Sequence, residues 1–189
     1  MRLFTAIELS DDVRAALVQW QNTLRRSVRY RVTWTRPENL HVTMKFIGEV
    51  DAARLMQLDS TLKSIVARRD PVRIVSDGLI LLPLRGPTRI IAASLRDPSE
   101  ALENLFADIE GALQPCGIGS EGRRFRPHVT LGRVRDRVRL DPRQIDLEKS
   151  AKFEISPTKF ALIQSLQLQE GSKYIVLARY PIIAHTSGH

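Results

Sequence analysis

Two short segments of the chain nearly repeat each other, and this repeat constrains the fold more than any other feature. Residues 40–44 read Leu-His-Val-Thr-Met and residues 127–131 read Pro-His-Val-Thr-Leu, so the two histidines are 87 positions apart. The chain has 189 residues, so each half contains one copy. Both copies lie in apolar stretches typical of β-strands. The spacing therefore predicts two related lobes that share one domain.

Alternation along a strand places the histidine and the threonine of each copy on one face. Residues i and i+2 of a strand point to the same side of the sheet. His41 therefore shares a face with Thr43, and His128 shares a face with Thr130. The apolar residues between them are then expected to pack behind this face. If the two lobes face each other, both pairs line a single cleft.

The remaining pattern predicts an α+β fold with mainly antiparallel sheets flanked by helices. Three amphipathic helices are predicted: one opened by Ser10 or Asp11, one capped by Asp51 and running to about Arg69, and one capped by Asp97. Ten shorter runs are predicted as strands, at 2–9, 30–35, 40–47 (ended by the glycine at 48), 72–76, 78–82, 88–95, 125–134, 151–155, 158–168 and 173–180. The chain lacks the glycine-rich motifs of dinucleotide and nucleoside triphosphate sites.

Charge and cysteine content restrict the partners and the compartment. Lys and Arg number 29 against 21 Asp and Glu, and the resulting net charge of +8 favours nucleic acid as partner over a lipid surface. The single Cys116 excludes an internal disulfide and predicts a reducing compartment, by default the cytoplasm. No apolar run approaches the ~18 residues of a membrane span. Residues 1–183 are predicted to form one two-lobed domain, and 184–189 a frayed tail containing His185 and His189.

Two opposed pairs of histidine and threonine supply the groups needed to hydrolyse a phosphodiester without a metal ion. A neutral imidazole can accept a proton from water while an imidazolium donates one to the leaving oxygen. Threonine hydroxyls can hydrogen-bond the non-bridging oxygens of the phosphate. Neither motif has a carboxylate two residues from its histidine, so we predict no metal site and no other cofactor.

The repeat and its flanks resemble the two-histidine phosphoesterase superfamily, and within it the bacterial RNA 2′,3′-cyclic phosphodiesterases, also described as 2′–5′ RNA ligase-like. Besides the motifs, the resemblance rests on residues 2–7, 34–41, 46–49, 125–133, 164–171, 174 and 181. It implies a bilobal α+β fold with pseudo-twofold symmetry and a central cleft that holds one motif per lobe. It further implies that His41 donates a proton to the leaving O3′, that His128 accepts a proton from water, and that Thr43 and Thr130 hold the phosphate. The product then carries a 2′-phosphate.

Two arginines and a lysine beside the motifs are candidates for the cleft. A guanidinium close to a phosphate stabilises the charge that develops there. Alternation places Arg126 on the face of His128, and it places Arg133 on the opposite face unless the strand bulges or ends. Lys45 shares the face of the first histidine, and it is predicted either to face the cleft or to be a solvated strand end.

Aromatic residues near the motifs are candidates for stacking on a base of single-stranded RNA. Trp34 and Phe125 are predicted to lie at the rim of the cleft. Phe46 alternates with the apolar residues of its strand, so it is predicted to belong to the core.

The two motifs favour metal-independent hydrolysis of a phosphodiester, and the family resemblance implies that the substrate is an RNA 2′,3′-cyclic phosphate end, with 2′–5′ joining of RNA ends as the reverse reaction. Two alternatives stay open. The first is an RNA- or nucleotide-binding module that has lost turnover. The second is a phosphodiesterase for another substrate, such as ADP-ribose cyclic phosphate or a 2′–5′ oligonucleotide. The protein is expected to be a monomer that binds RNA and no membrane.

Overall fold

The repeat lies at the centre of one antiparallel sheet. The computed structural model describes residues 1–65, 71–122, 124–141, 145, 151–169 and 171–182, and these contain three α-helices and nine strands. In chain order they are β1 (Arg2–Glu8), α1 (Asp11–Ser27), β2 (Val32–Trp34), β3 (His41–Glu49), α2 (Leu55–Ser64), β4 (Ile74–Leu82), β5 (Ile90–Arg96), α3 (Ala101–Leu113), β6 (His128–Val134), β7 (Glu154–Ile155), β8 (Lys159–Leu168) and β9 (Gly171–Pro181). The sheet order is β7-β4-β5-β6-β3-β1-β8-β9, and β2 also pairs with β6. The predicted α+β class is confirmed.

The two strands that carry the motifs, β3 and β6, are neighbours in the middle of the sheet. Beyond β3 lie β1, β8 and β9, and beyond β6 lie β5, β4 and β7, so the C-terminal hairpin joins the lobe of the first motif. Val42 is paired with Val129, its equivalent in the repeat. Equivalent residues that face each other in an antiparallel pair are related by a local twofold axis. The predicted two-lobed arrangement is therefore confirmed, and both lobes belong to one continuous sheet.

Helix α1 illustrates how the sequence pattern produces packing. It begins after Ser10, whose hydroxyl accepts the backbone N–H of Val13. Leu17, Trp20 and Leu24 follow at helical spacing and are at most 2% exposed. Each such side chain contributes about 1.5–3 kcal/mol by leaving water. The helix therefore forms where it was predicted and covers the sheet with its apolar face.

Two strand boundaries predicted near glycines are wrong, because both glycines continue their strands. Strand β3 passes through Gly48, which has a φ of 86°, and ends at Glu49. The runs 72–76 and 78–82 form the single strand β4, in which Gly78 has a φ of 78° and the register with β5 is irregular. Glycine adopts this left-handed conformation without the steric cost that a Cβ atom imposes.

Two predicted helix starts also differ from the structure. Asp51 makes no capping hydrogen bond, and a 3₁₀ turn at Ala52–Arg54 separates it from α2. Asp97 does accept the backbone N–H of Leu102 at 2.8 Å, as a cap does, but α3 begins later than predicted. The residue before the helix is Glu100, in the left-handed region with a φ of 60°. Asp97 thus caps the helix from further away than the sequence indicated.

Three further predictions concern segment ends. The strand expected from Phe125 begins at His128, and the preceding residues form no strand. The predicted end of the second helix near Arg69 and the predicted tail at 184–189 lie outside the described residues.

Candidate active site

The histidine and threonine of each motif lie on the cleft face of the sheet, as alternation predicted. His41 and Thr43 are half-buried, whereas Val42 between them is fully buried. His128 and Thr130 show the same pattern in β6. Because β3 and β6 are neighbouring strands, the two pairs meet at the border between the lobes.

A β-bulge follows each motif at an equivalent position. The register of β3 with β1 shifts by one residue at Met44, and that of β6 with β5 shifts at Leu131. A bulged residue interrupts the alternation of faces. Two successive residues therefore point away from the cleft in each strand: Met44 and Lys45 in β3, and Leu131 and Gly132 in β6.

The bulges bring Phe46 and Arg133 to the cleft. Phe46 is 56% exposed and lines the cleft, so its predicted place in the core is wrong. Arg133 lines the same cavity, as expected for a strand that bulges. Lys45 is only 1% exposed, so neither of its predicted positions, in the cleft or in solvent, is correct.

A side chain from α1 supports the second bulge. The carbonyl oxygen of Leu131 accepts the backbone N–H of Thr35 at 2.9 Å and the Nε2 amide of Gln21 at 2.7 Å. The same amide donates to the carbonyl of Thr35 at 2.9 Å, and Gln21 is 2% exposed. A buried polar group is costly to leave unpaired. Gln21 therefore holds this bulge in place beside the second motif.

The two imidazoles are held in the same way. Nδ1 of His41 is 2.7 Å from the carbonyl oxygen of Asn39, and Nδ1 of His128 is 2.7 Å from that of Arg126. A carbonyl only accepts, so each Nδ1 carries the hydrogen and each Nε2 is the atom free for proton transfer. Nε2 of His41 is 2.8 Å from the hydroxyl oxygen of Thr43. The side chain of Asn39 donates to the carbonyl of Ser172 at 2.7 Å and so anchors this arrangement to β9.

The surroundings of His41 favour its neutral form. Burial lowers its pKa to about 4, the hydrogen bond to Asn39 opposes this shift, and the charges of a protonated His128 and of Arg133 add to it. Without a ligand, His41 is therefore uncharged at neutral pH. An anion in the cleft offsets these positive charges and favours the protonated form.

Aromatic rings surround His41 on the side of the first lobe. The ring of Phe4 lies 5.0 Å from the imidazole and the ring of Tyr174 lies 5.3 Å from it, edge on. Phe46 is 6.1 Å from Phe4, measured between ring centroids. The sequence analysis assigned no role to Phe4 and Tyr174 because they reach the site through strand pairing. β1 pairs with β3, and β9 joins the same lobe through β8.

Both motifs line one cavity of about 230 Å³. The lining includes the two histidines, the two threonines and Arg133, and within the described part of the chain it contains no carboxylate. The cavity adjoins a larger groove of about 810 Å³, with which it shares Thr43 and His128 among other residues. The described ranges also contain no group of three His, Cys, Asp or Glu side chains placed to hold a metal ion.

The other predicted site residues are distributed over the groove and the core. Arg126 and Phe125 line the groove, and Phe125 stacks on Phe106 with ring centroids 4.3 Å apart. Trp34 is paired with Gly132, on the side of the sheet opposite to the cleft. A Cβ atom on Gly132 would lie 2.6 Å from the side chain of Val32 and 3.1 Å from the Trp34 ring, so both side chains of β2 pack into the space that the glycine leaves. The structure therefore does not support base stacking by Trp34.

Lys45 forms a buried network behind the cleft. Its ammonium group is ion-paired with Glu110 of α3 and donates to the carbonyl of Gly119 at 2.7 Å. Glu110 accepts the backbone N–H of Glu121 at 3.0 Å, and the Glu121 carboxylate accepts the N–H of Phe46 at 3.3 Å. The network therefore ties α3 and the loop after it to the bulged part of β3. Strand alternation alone does not reveal this network, because it places Lys45 on the other face.

Similarity to known proteins extends over most of the chain. The profile of the family described as "LigT like Phosphoesterase" matches residues 7–92 and 95–174. An RNA 2′,3′-cyclic phosphodiesterase of Archaeoglobus fulgidus is 29% identical over 178 residues, which are 92% of this chain and 96% of that protein. A protein of the same name from Geobacillus stearothermophilus is 23% identical over 186 residues, which are 98% of this chain but only 58% of that protein.

A solved structure shares the fold as well. The crystal structure of E. coli LigT complexed with 3′-AMP matches with a TM-score of 0.78 at 25% identity, covering 96% of this chain and 97% of that chain. No helix in the described part of the chain is long and apolar enough to cross a bilayer.

Proposed function

Because the chain belongs to the LigT-like phosphoesterase family, we propose that it hydrolyses the 2′,3′-cyclic phosphate at the end of an RNA strand to a 2′-phosphomonoester. The observation that carries this proposal is the pair of imidazoles around one cavity, each with Nδ1 held by a backbone carbonyl, which leaves Nε2 as the atom that can exchange a proton. A pair of groups able to donate and accept a proton is what in-line cleavage of a phosphodiester requires. The relatives from Archaeoglobus and Geobacillus carry the name of this activity.

The roles that the family resemblance implies fit this cavity. His128 removes a proton from water, whose oxygen forms a bond to phosphorus, while the bond from phosphorus to O3′ breaks and His41 protonates the leaving oxygen. Thr43 and Thr130 donate hydrogen bonds to the non-bridging oxygens, and the guanidinium of Arg133 offsets the developing negative charge. With a 5′-hydroxyl in place of water, the same step joins two RNA ends through a 2′–5′ linkage. No step needs a metal ion.

Hydrolysis of a short RNA with a 2′,3′-cyclic phosphate end, measured in EDTA, tests this proposal. We expect turnover without metal, because two histidines line the cavity and can transfer the protons, and we expect the phosphate on O2′ of the product, as the family resemblance implies. If the folded protein binds this RNA without turnover, it is a binding module instead. If it hydrolyses only ADP-ribose cyclic phosphate or a 2′–5′ oligonucleotide, the substrate in the proposal is wrong.

A further prediction concerns the pKa of His41, which must rise if this residue is the proton donor. The pKa of His41 is about 4 in the ligand-free protein, so this residue can donate a proton near neutral pH only after an anion has bound. We expect inorganic phosphate or 3′-AMP to raise this pKa, and Arg133→Gln to raise it without a ligand, since Arg133 is one of the charges that lower it. Histidine ring signals followed by NMR through a pH titration measure both effects. If His41 stays uncharged at pH 6 with phosphate bound, the donor role passes to His128.

A further inference from the structure

The cavity that holds both motifs is small compared with the groove beside it. Ligand sites that enclose a whole small molecule usually measure roughly 300–1,000 Å³, and this cavity measures about 230 Å³. It therefore suits the reacting phosphate and the groups next to it. Any longer substrate must continue into the groove of about 810 Å³.

Aromatic and polar side chains line the cavity on the side away from the groove. Tyr174, Phe4 and Asn39 line the cavity on the side of the first lobe, and Asn39 is bonded to the carbonyl of Ser172. Phe4 is 3% exposed. The groove shares Thr43 and His128 with the cavity, so it is the larger continuation open to a chain attached to the phosphate.

The groove carries positive charge that the protein itself does not neutralise. Arg89, Arg124 and Arg126 line it and are exposed. Among the described residues, none of these three guanidinium groups is engaged in an ion pair or hydrogen bond, whereas those of Arg31 and Arg73 are each paired with a carboxylate. Unpaired arginines along a groove are the usual means of binding phosphates of a nucleic acid backbone.

Apolar surface alternates with this charge. Leu84, 52% exposed, and Pro83 line one wall of the groove, and Phe125 lines it together with the arginines. Among the described residues of the lining, Glu121 is the one carboxylate, and it accepts a hydrogen bond from the backbone of Phe46. Single-stranded nucleic acids bind to grooves that combine backbone contacts with apolar or aromatic surface for the bases.

We propose that this groove binds the nucleotides that precede the cyclic phosphate, with Arg89 and Arg124 contacting their backbone phosphates. The inference rests on the proposed function and extends it: the preferred substrate is an oligonucleotide, and a mononucleotide 2′,3′-cyclic phosphate uses the cavity alone. Recognition is through backbone charge, so we expect little dependence on base sequence.

The double variant Arg89→Gln/Arg124→Gln tests the proposal with two substrates, an RNA tetramer that ends in a cyclic phosphate and the corresponding mononucleotide. For the tetramer we expect kcat/KM to fall at least ~10-fold, mainly through KM, since hydrogen bonds to charged groups are lost. The slope of log KM against the logarithm of the salt concentration should be lower by about 1.4 in the double variant than in wild type, the value for two phosphate contacts on a single strand. The mononucleotide should be hydrolysed at an essentially unchanged rate.

A matched control distinguishes contacts made by the two groove arginines from an effect of lowering the protein's net positive charge. Arg26→Gln/Arg29→Gln removes the same charge from exposed positions at the end of α1 and should leave both substrates unaffected. Equal losses for tetramer and mononucleotide, no loss for either, or an equal loss in the control would each overturn the proposal.

The test also works if the wild-type protein turns over neither substrate, the result that contradicts the proposed function. Binding of a fluorescent tetramer with a 2′-phosphate end is then read by anisotropy. Weaker binding in the Arg89/Arg124 variant alone supports the groove as an RNA site. Absence of binding to the wild type, or equal binding to all three proteins, overturns it.

Discussion

Replacing His41 or His128 with asparagine is expected to lower kcat for the cyclic phosphate by a factor of about 10²–10⁴, the usual contribution of a positioned proton donor or acceptor. An asparagine amide can still donate to the backbone carbonyl that each Nδ1 now contacts, so the local structure is retained. The lost group is the ring nitrogen Nε2, which would exchange the proton. Binding of an RNA with a 2′-phosphate end should change much less than turnover.

The double variant and a control complete this experiment. Because one chemical step needs both groups, His41→Asn/His128→Asn should be no more than slightly worse than either single variant. His185→Asn, in the predicted tail, provides a histidine substitution outside the motifs. If either single variant keeps more than about a tenth of the wild-type rate, below the usual contribution of acid–base catalysis, the active site lies elsewhere.

Glu110→Ala is expected to lower the free energy of unfolding by about 3–5 kcal/mol, because it leaves the Lys45 ammonium buried without a counter-charge. The lysine side chain is 1% exposed and that of Glu110 is 12% exposed, so water cannot replace the carboxylate. The double variant Lys45→Met/Glu110→Leu removes both charges and should be more stable than Glu110→Ala. It should still be less stable than wild type, because the carbonyl of Gly119 and the N–H of Glu121 lose partners.

Urea unfolding at matched m-values measures these differences. The control is Glu154→Ala, which breaks the exposed pair with Arg73 and should change stability little, as surface ion pairs usually do. A Glu110→Ala protein within about 1 kcal/mol of wild type would contradict a buried, uncompensated charge. A double variant less stable than the single one would show that packing, rather than charge, dominates at this position.

Local patterns were sufficient to predict the parts of the fold that depend on nearby residues. Helix α1 follows from its cap and its apolar spacing, and the histidine and threonine of each motif lie on one face because alternation is a property of the strand itself. The two lobes follow from the spacing of the repeat. These features need no knowledge of which strands pair.

The errors arise where the answer depends on a distant segment. The bulges at Met44 and Leu131 appear only in the register with β1 and β5, so alternation failed at Phe46 and Lys45. A single sequence gives no such register. Trp34 was misplaced for a related reason: its partner is Gly132, and the space left by a glycine becomes visible only when the strands are paired.

Rotation about the local twofold axis between the lobes exchanges His41 and His128. The two motifs alone therefore do not determine which histidine donates a proton and which accepts one. Cleavage of a phosphodiester is not symmetric, because one oxygen forms a bond to phosphorus while the bond from phosphorus to another oxygen breaks. The motif strands differ in chemistry where Phe46 presents an aromatic ring at the position equivalent to the cation of Arg133. For the proposed hydrolysis, this difference gives the cavity an asymmetry that the two histidines alone do not supply.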